Sequence, residues 1–256
     1  MTLDEFAKKT PRAVLAFSGG SDSAFLLYMS RQLRVEWIPV YVKSAFQPAF
    51  ELEDAKRLAE ELKTELKVLT LDVLSDPDIS HNPPERCYAC KRWIMRTLQN
   101  WGEKNGFHTV IDGTNASDAY DDRPGMRALG ELKIRSPLRL CGITKMDVRR
   151  YSREAGLFTW NKPSYACLAT RIPTNEPITE EKLHRVETAE NALRALGFRD
   201  FRLRTSGNTA KLQVTEAQLY LAFTLREEVC DAVKPQFSEI LLDLEPRTAE
   251  KLPGGE

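Results

Sequence analysis

Short apolar runs that alternate with longer amphipathic stretches leave this 256-residue chain few folds to adopt. Residues 13–17 read as a buried strand and 23–31 as the helix behind it. Residues 35–42 form the next strand, and 48–62 a helix with its charges on the outer face. A third strand at 66–71 precedes a helix at 91–105, and a fourth at 109–112 precedes one at 145–155. Each return to the sheet passes through a helix, so the strands run parallel with right-handed crossovers. The expected fold class is α/β, a doubly wound parallel sheet.

The rhythm stops near Phe158. The stretch TWNKPSYACLATRIPTNEPIT holds three prolines and no clear period, which marks a loop. After it come a helix from Thr179 to Leu196, stopped by Gly197, and a hairpin of 201–205 with 210–214 about Ser206-Gly207-Asn208. Helical text at 216–233 and a strand at 239–244 complete a small C-terminal α+β domain. The expected division is a nucleotide-binding domain over 1–160, an active-site linker over 161–178 and the small domain over 179–256.

Lysine plus arginine equals aspartate plus glutamate, 37 of each, so no global field draws the chain to nucleic acid or anionic membrane. No run nears the ~18 apolar residues of a membrane span. The first residues lack the ordered regions of a signal peptide, and the chain is expected to be cytoplasmic. In that reducing compartment its five cysteines point to buried thiols, metal ligands or catalysis rather than disulfides.

Between the first strand and its helix lies Ser18-Gly19-Gly20-Ser21-Asp22-Ser23. Two glycines let the backbone turn sharply and approach a ligand, and the following helix offers free N–H groups and a positive dipole end to phosphate. Serine hydroxyls add donors, and Asp22 is an oxygen ligand suited to Mg²⁺. The competing reading is a Ser/Gly turn that only caps a helix. No lysine follows the glycines, so this is not the G-x-x-x-x-G-K-S/T loop. Asp112, Gly113 and Asn115 end the fourth strand, and Asp122 and Arg123 follow, at the sheet edge where open α/β folds bind ligands. Taken alone, an acidic stretch such as DAYDD also suits a solvated loop.

SGGSDS after a short apolar strand resembles the PP-loop of the ATP pyrophosphatases, which cleave ATP between its α and β phosphates and adenylate a substrate oxygen. Within that superfamily the chain resembles the LarE sulfur transferases. The likeness rests on SGGSDS, RCYACK, DGTNASDAYDDRPG, RSPL, the helix led by Lys145, AGLFTWNKPSYACLATRIP and FRLRTSGNTAKLQV, in that order. It departs at TNEP, where a glycine is expected soon after the proline, and at Thr205-Ser206, where a more basic pair is expected. The resemblance implies an adenine nucleotide alpha hydrolase-like fold, ATP and Mg²⁺ as cofactors, and AMP and pyrophosphate as products. The substrate implied is pyridinium-3,5-biscarboxylic acid mononucleotide, thiolated for a nickel-pincer cofactor. A homo-oligomer working with other proteins of that biosynthesis is implied too.

Cys87 and Cys90 form a C-x-x-C, and Cys167 stands alone in YACLATRIP. By themselves they suit half a zinc site, a redox pair or incomplete cluster ligation. By resemblance Cys167 is the sulfur carrier. Some relatives give up that sulfur and keep dehydroalanine; others, with the extra C-x-x-C, hold a [4Fe-4S] cluster on three cysteines, and this chain matches those. His81, His108 and His184 make a poor fourth zinc ligand, and Cys141 and Cys230 sit among apolar neighbours. Arg202 and Arg204 alternate with Phe201 and Leu203, giving one basic strand face. By resemblance Arg171, Arg202 and Arg204 bind the mononucleotide phosphate, and Glu190 is linked to metal or function. Trp93 and Trp101 are expected in the core. A tRNA thiolation enzyme and a non-catalytic cluster-binding protein are the rival readings.

Overall fold

The computed structural model describes residues 1–118 and 124–248. The first elements are α1 (Leu3–Lys9), β1 (Arg12–Ala16), α2 (Ser21–Gln32), β2 (Glu36–Lys43), α3 (Ala49–Glu61), β3 (Lys67–Thr70) and α4 (Pro77–Ser80). There follow α5 (Arg86–Lys104), β4 (Val110–Ile111), α6 (Pro124–Glu131), α7 (Pro137–Leu140) and α8 (Lys145–Glu154). The last are α9 (Glu180–Ala195), β5 (Phe201–Ser206), β6 (Thr209–Val214), α10 (Glu216–Thr224), α11 (Arg226–Val233) and β7 (Glu239–Leu242). None of these helices is long and apolar enough to cross a membrane, among the described residues.

Two compact units form, and they are not contiguous in sequence. One holds Met1–Val73 and Glu85–Lys162; the other holds Leu74–Pro84 and the chain from Pro163. In the first unit the sheet order is β3-β2-β1-β4, with every pair parallel. A bridge from Ile111 to Arg135 adds one more parallel contact beyond β4. Side chains alternate across β1. Ala13 and Leu15 join Phe25, Leu26 and Leu27 of α2 and Trp37 of β2 in one core. Val14 faces the other way, with Val40 and Val42 of β2, Met95 and Leu98 of α5, and Met126 and Leu129 of α6. Helices therefore cover both faces, which makes the sheet doubly wound as expected. Chain order reverses between β1 and β4, so the crevice at their carboxyl ends is the natural place for a ligand.

The second unit is α+β. β5 and β6 form an antiparallel hairpin, and β7 adds parallel to β6. Phe201, Leu203, Thr205, Ala210, Leu212 and Val214 are buried on one face, with Arg204 and Ser206 exposed on the other. The segment Leu74–Pro84 is tied in by backbone bonds from Ile178 N–H to Ser80 O (2.8 Å) and from Asn175 N–H to Asn82 O (2.8 Å). The buried amide of Asn82 donates to Pro173 O at 2.7 Å.

Three elements differ from the sequence reading. α1 was not expected, although Thr2 and Glu5 carry its signal: each side chain caps the other's backbone N–H, at 3.2 and 3.0 Å. α5 begins at Arg86 rather than 91, just after Pro83-Pro84, so Cys87 and Cys90 lie on a helical turn. The stretch 216–233 is two helices rather than one, breaking at Leu225 (φ −99°, ψ 31°), which ends α10 and caps α11.

Gly102 seats α5 on β1. A Cβ there would stand 2.8 Å from Phe107 O and 3.0 Å from Val14 Cγ2. Gly102→Ala should cost about 1–3 kcal/mol by overpacking. Urea unfolding should then show a lower midpoint at unchanged slope; an unchanged midpoint would refute the close seating.

Candidate functional site

In the first unit the crevice is built around the turn from β1 into α2. Gly19 has φ 71°, and a Cβ there would meet the α3 backbone, Ala55 N and Glu51 O, at 3.1 Å. A left-handed residue pressed on another backbone must be glycine. Ser23 Oγ accepts from Ser18 N–H at 3.3 Å and donates to Gly20 O at 3.2 Å, closing the loop on itself. Gly20 is the N-cap of α2 and has no side-chain cap, so the first N–H groups of that helix are left for a ligand.

The cation that the loop lacks comes from elsewhere in the chain. Lys145, the first residue of α8, reaches Asp22 Oδ2 at 2.5 Å and Ser21 Oγ at 2.8 Å. α8 is held in place by a capping box between Thr144 and Asp147, and by a bond from Lys145 N–H to Ser117 Oγ (3.1 Å). Burial raises the Asp22 carboxyl above the ordinary range, against the pull of Lys145. Lys162 pairs with Asp54 at 2.7 Å and donates to Gly19 O at 3.3 Å. Fully buried Arg149 fixes the chain there, donating to Trp160 O and Lys162 O, both at 3.2 Å. Lys145 and Lys162 thus flank the phosphate loop. The sequence reading noted Lys145 only as the head of a helix and passed over Lys162; its one clue was a phosphate loop with no lysine of its own.

Asp112, Gly113 and Asn115 stand where expected. A Cβ on Gly113 would sit 3.1 Å from Ser23 N, so the end of β4 and the start of α2 touch backbone to backbone. Asp112 accepts from Ser136 Oγ and Thr114 Oγ1, both at 2.6 Å. Buried Asn115 donates to Asp22 Oδ1 at 3.2 Å and accepts from Ser117 N–H at 2.8 Å. Asp122 and Arg123 lie outside the described residues. Trp101 stacks on Phe107, ring centroids 6.2 Å apart, in keeping with a core role.

The second unit gathers Cys167, Arg171, Glu190, Arg202 and Arg204. Arg171 and Glu190 are wholly buried, joined Nε to Oε1 at 2.7 Å. Glu190 also accepts from Tyr165 Oη (2.5 Å), Arg194 Nη2 (3.2 Å) and Leu203 N–H (3.2 Å). Burial by itself would raise the Glu190 carboxyl, but Arg171, Tyr165 and the Leu203 N–H hold it below the usual range. Burial, and then the charges of Arg171 and Arg247, pull the Arg202 guanidinium down to about 10, still a cation at neutral pH. Arg204 is exposed and bonds Gln213 Oε1 at 2.7 Å. Cys167 is half-buried at the head of a 3₁₀ turn, Leu168–Arg171.

All five cysteines are thiols. Cys87 is exposed, Cys90 half-buried, and Arg86 donates to Cys87 Sγ at 3.4 Å. Three residues apart on a helix, Cys87 and Cys90 share a face. Among the described residues no three His, Cys, Asp or Glu side chains gather as a metal-ligand set.

Lys145→Met removes one of the two cations that flank the loop. Its ATP-dependent pyrophosphate release should fall about 10²–10³-fold, with an unchanged circular dichroism spectrum. Near-normal release would assign Lys145 to structure alone.

Residues 12–82 match the family described as queuosine biosynthesis protein QueC, over the loop and its flanking strands. An uncharacterized protein of Synechocystis sp. is 36% identical over 218 residues, covering 85% of this chain and 81% of that relative. Pyridinium-3,5-bisthiocarboxylic acid mononucleotide synthase of Lactiplantibacillus plantarum is 34% identical over 229 residues, 88% of this chain and 83% of the synthase. An uncharacterized protein of Methanocaldococcus jannaschii is 31% identical over 238 residues, covering 93% and 91%. On this similarity over most of its length, the chain belongs to the LarE family of ATP-dependent sulfur transferases.

Proposed function

We propose that this enzyme converts a carboxylate of pyridinium-3,5-biscarboxylic acid mononucleotide into a thiocarboxylate for nickel-pincer cofactor biosynthesis. The observation that carries the reading is a pair of thiols, Cys87 and Cys90, on one helical turn of a unit built to hold ATP. The similarity to the Lactiplantibacillus plantarum synthase supports the choice of substrate. ATP phosphates lie on residues 18–23 and the N-terminus of α2, with Lys145 and Lys162 offsetting their charge. Asp22, with Gly113 and Asn115 beside it, offers oxygens to Mg²⁺, and Asp112 is assigned to the same nucleotide site. Asp122 and Arg123 also serve ATP binding in this reading, Arg123 as a phosphate donor.

The substrate carboxylate oxygen attacks the α phosphorus of ATP, and pyrophosphate leaves. A sulfur nucleophile then attacks the acyl carbon; a C–S bond forms, the C–O bond to AMP breaks, and AMP departs with the electron pair. Cys87, Cys90 and Cys167 would hold a [4Fe-4S] cluster, which supplies an iron site with no protein ligand for a sulfide. Arg202 and Arg204 take the mononucleotide phosphate. Burial, and after it the charges of Arg171 and Arg247, lower Arg202, and a bound anion would offset the charge of those two neighbours. Arg171 and Glu190 serve that site from within the buried core. The enzyme acts as a homo-oligomer in the cytoplasm beside other proteins of the same biosynthesis.

Anaerobically purified protein should be brown, with iron and sulfide, and Cys87→Ala should lose both. Colourless protein whose mass falls by one H₂S after turnover would replace this reading with sacrifice of Cys167.

A further inference from the structure

We propose that Arg171, Glu190 and Tyr165 are positioning residues that hold the Cys167 loop in fixed register with the strand bearing Arg202 and Arg204. This rests on the reading of Cys167 as the sulfur carrier. A wholly buried ion pair is weak evidence for stability, because well-packed apolar residues of similar volume often serve as well. What this pair does is local. Arg171 Nη1 donates to Ala166 O at 3.0 Å, immediately before Cys167, and to Thr170 Oγ1 at 2.8 Å. Thr170 in turn gives both its hydroxyl (2.8 Å) and its N–H (3.0 Å) to Cys167 O. The guanidinium thus grips the loop on both sides of the thiol.

Glu190 joins that grip to β5. Its Oε1 takes Arg171 Nε and the N–H of Leu203, the residue between Arg202 and Arg204. Its Oε2 takes Tyr165 Oη, two residues before Cys167. From β5 the two neighbouring arginines close the ends of the loop. Arg202 donates to Ser164 O at 2.6 Å and Arg204 to Thr170 O at 3.1 Å. Every support of the Cys167 loop named here leads, in one or two bonds, to β5 or to the Arg171–Glu190 pair. A shift in that pair would therefore move the thiol relative to the arginines proposed for the substrate phosphate.

The test compares the full chain with Arg171→Met/Glu190→Leu and with Tyr165→Phe. The double substitution removes the ions and keeps apolar volume, so it separates positioning from stability. Peptide-resolved alkylation reads Cys167 against Cys230, a half-buried thiol of the same unit. In the double variant Cys167 should label about tenfold faster, with Cys230 and the melting temperature unchanged. The kcat for thiocarboxylate formation should fall about 100-fold while KM for ATP stays constant. Wild-type labelling of Cys167 in a folded double variant overturns the proposal. If that variant does not fold, Tyr165→Phe decides: faster Cys167 labelling supports positioning, and wild-type labelling overturns it. Cys167→Ser tests the underlying reading separately. Thiocarboxylate formation that survives it sinks the sulfur-carrier role, whatever the labelling shows.

Discussion

At the mouth of the first unit, backbone meets backbone with no room for a side chain. Gly19 lies against α3 and Gly113 against the first turn of α2, each with space for a hydrogen and little more. These contacts set how near the helix N-terminus comes to the ends of β1 and β4. A phosphate site made of N–H groups depends on that placement, because its donors are fixed to the backbone and cannot swing toward a ligand as a side chain would. The order of the strands, the cores on both faces of the sheet and the seat of α5 together present this opening.

The two units arrange their positive charge differently. The first relies on peptide dipoles and free N–H groups, with two lysines brought in from α8 and the segment after it. Lysine suits that position as a compact charge that can follow a phosphate as it moves. The second unit uses arginines held by carbonyls and carboxylates on several sides. A planar guanidinium with five donors can grip the protein with some and leave others for a ligand.

Much of this was legible in the sequence. Period and length marked the strands and helices of the sheet, and the phosphate loop announced itself through glycines between a strand and a helix. Alternation along β5 put Arg202 and Arg204 on the face opposite Leu203. Lys145 and Lys162 were hidden because their partners lie far off in sequence, and one-dimensional spacing cannot show which helix start meets which loop. Nothing in the spacing around Arg171 marks it as buried, yet a 3₁₀ turn carries it inward to Glu190. The sequence reading starts α5 five residues late, although the two prolines ahead of the C-x-x-C already mark where a helix can begin.

The path of the chain through its two units limits how such an enzyme can diversify. The second unit is assembled from Pro163 onward together with Leu74–Pro84, which leaves the first unit after β3 and returns to it before α5. A gene fusion or exchange made at one junction near Lys162 would transplant a module without the strip that pairs with residues 173–178. That strip would remain behind with apolar Ile79 and the amide of Asn82 stripped of their partners. Recombination within this family should therefore favour whole-gene inheritance over domain shuffling, and new specificities should arise through substitution in place.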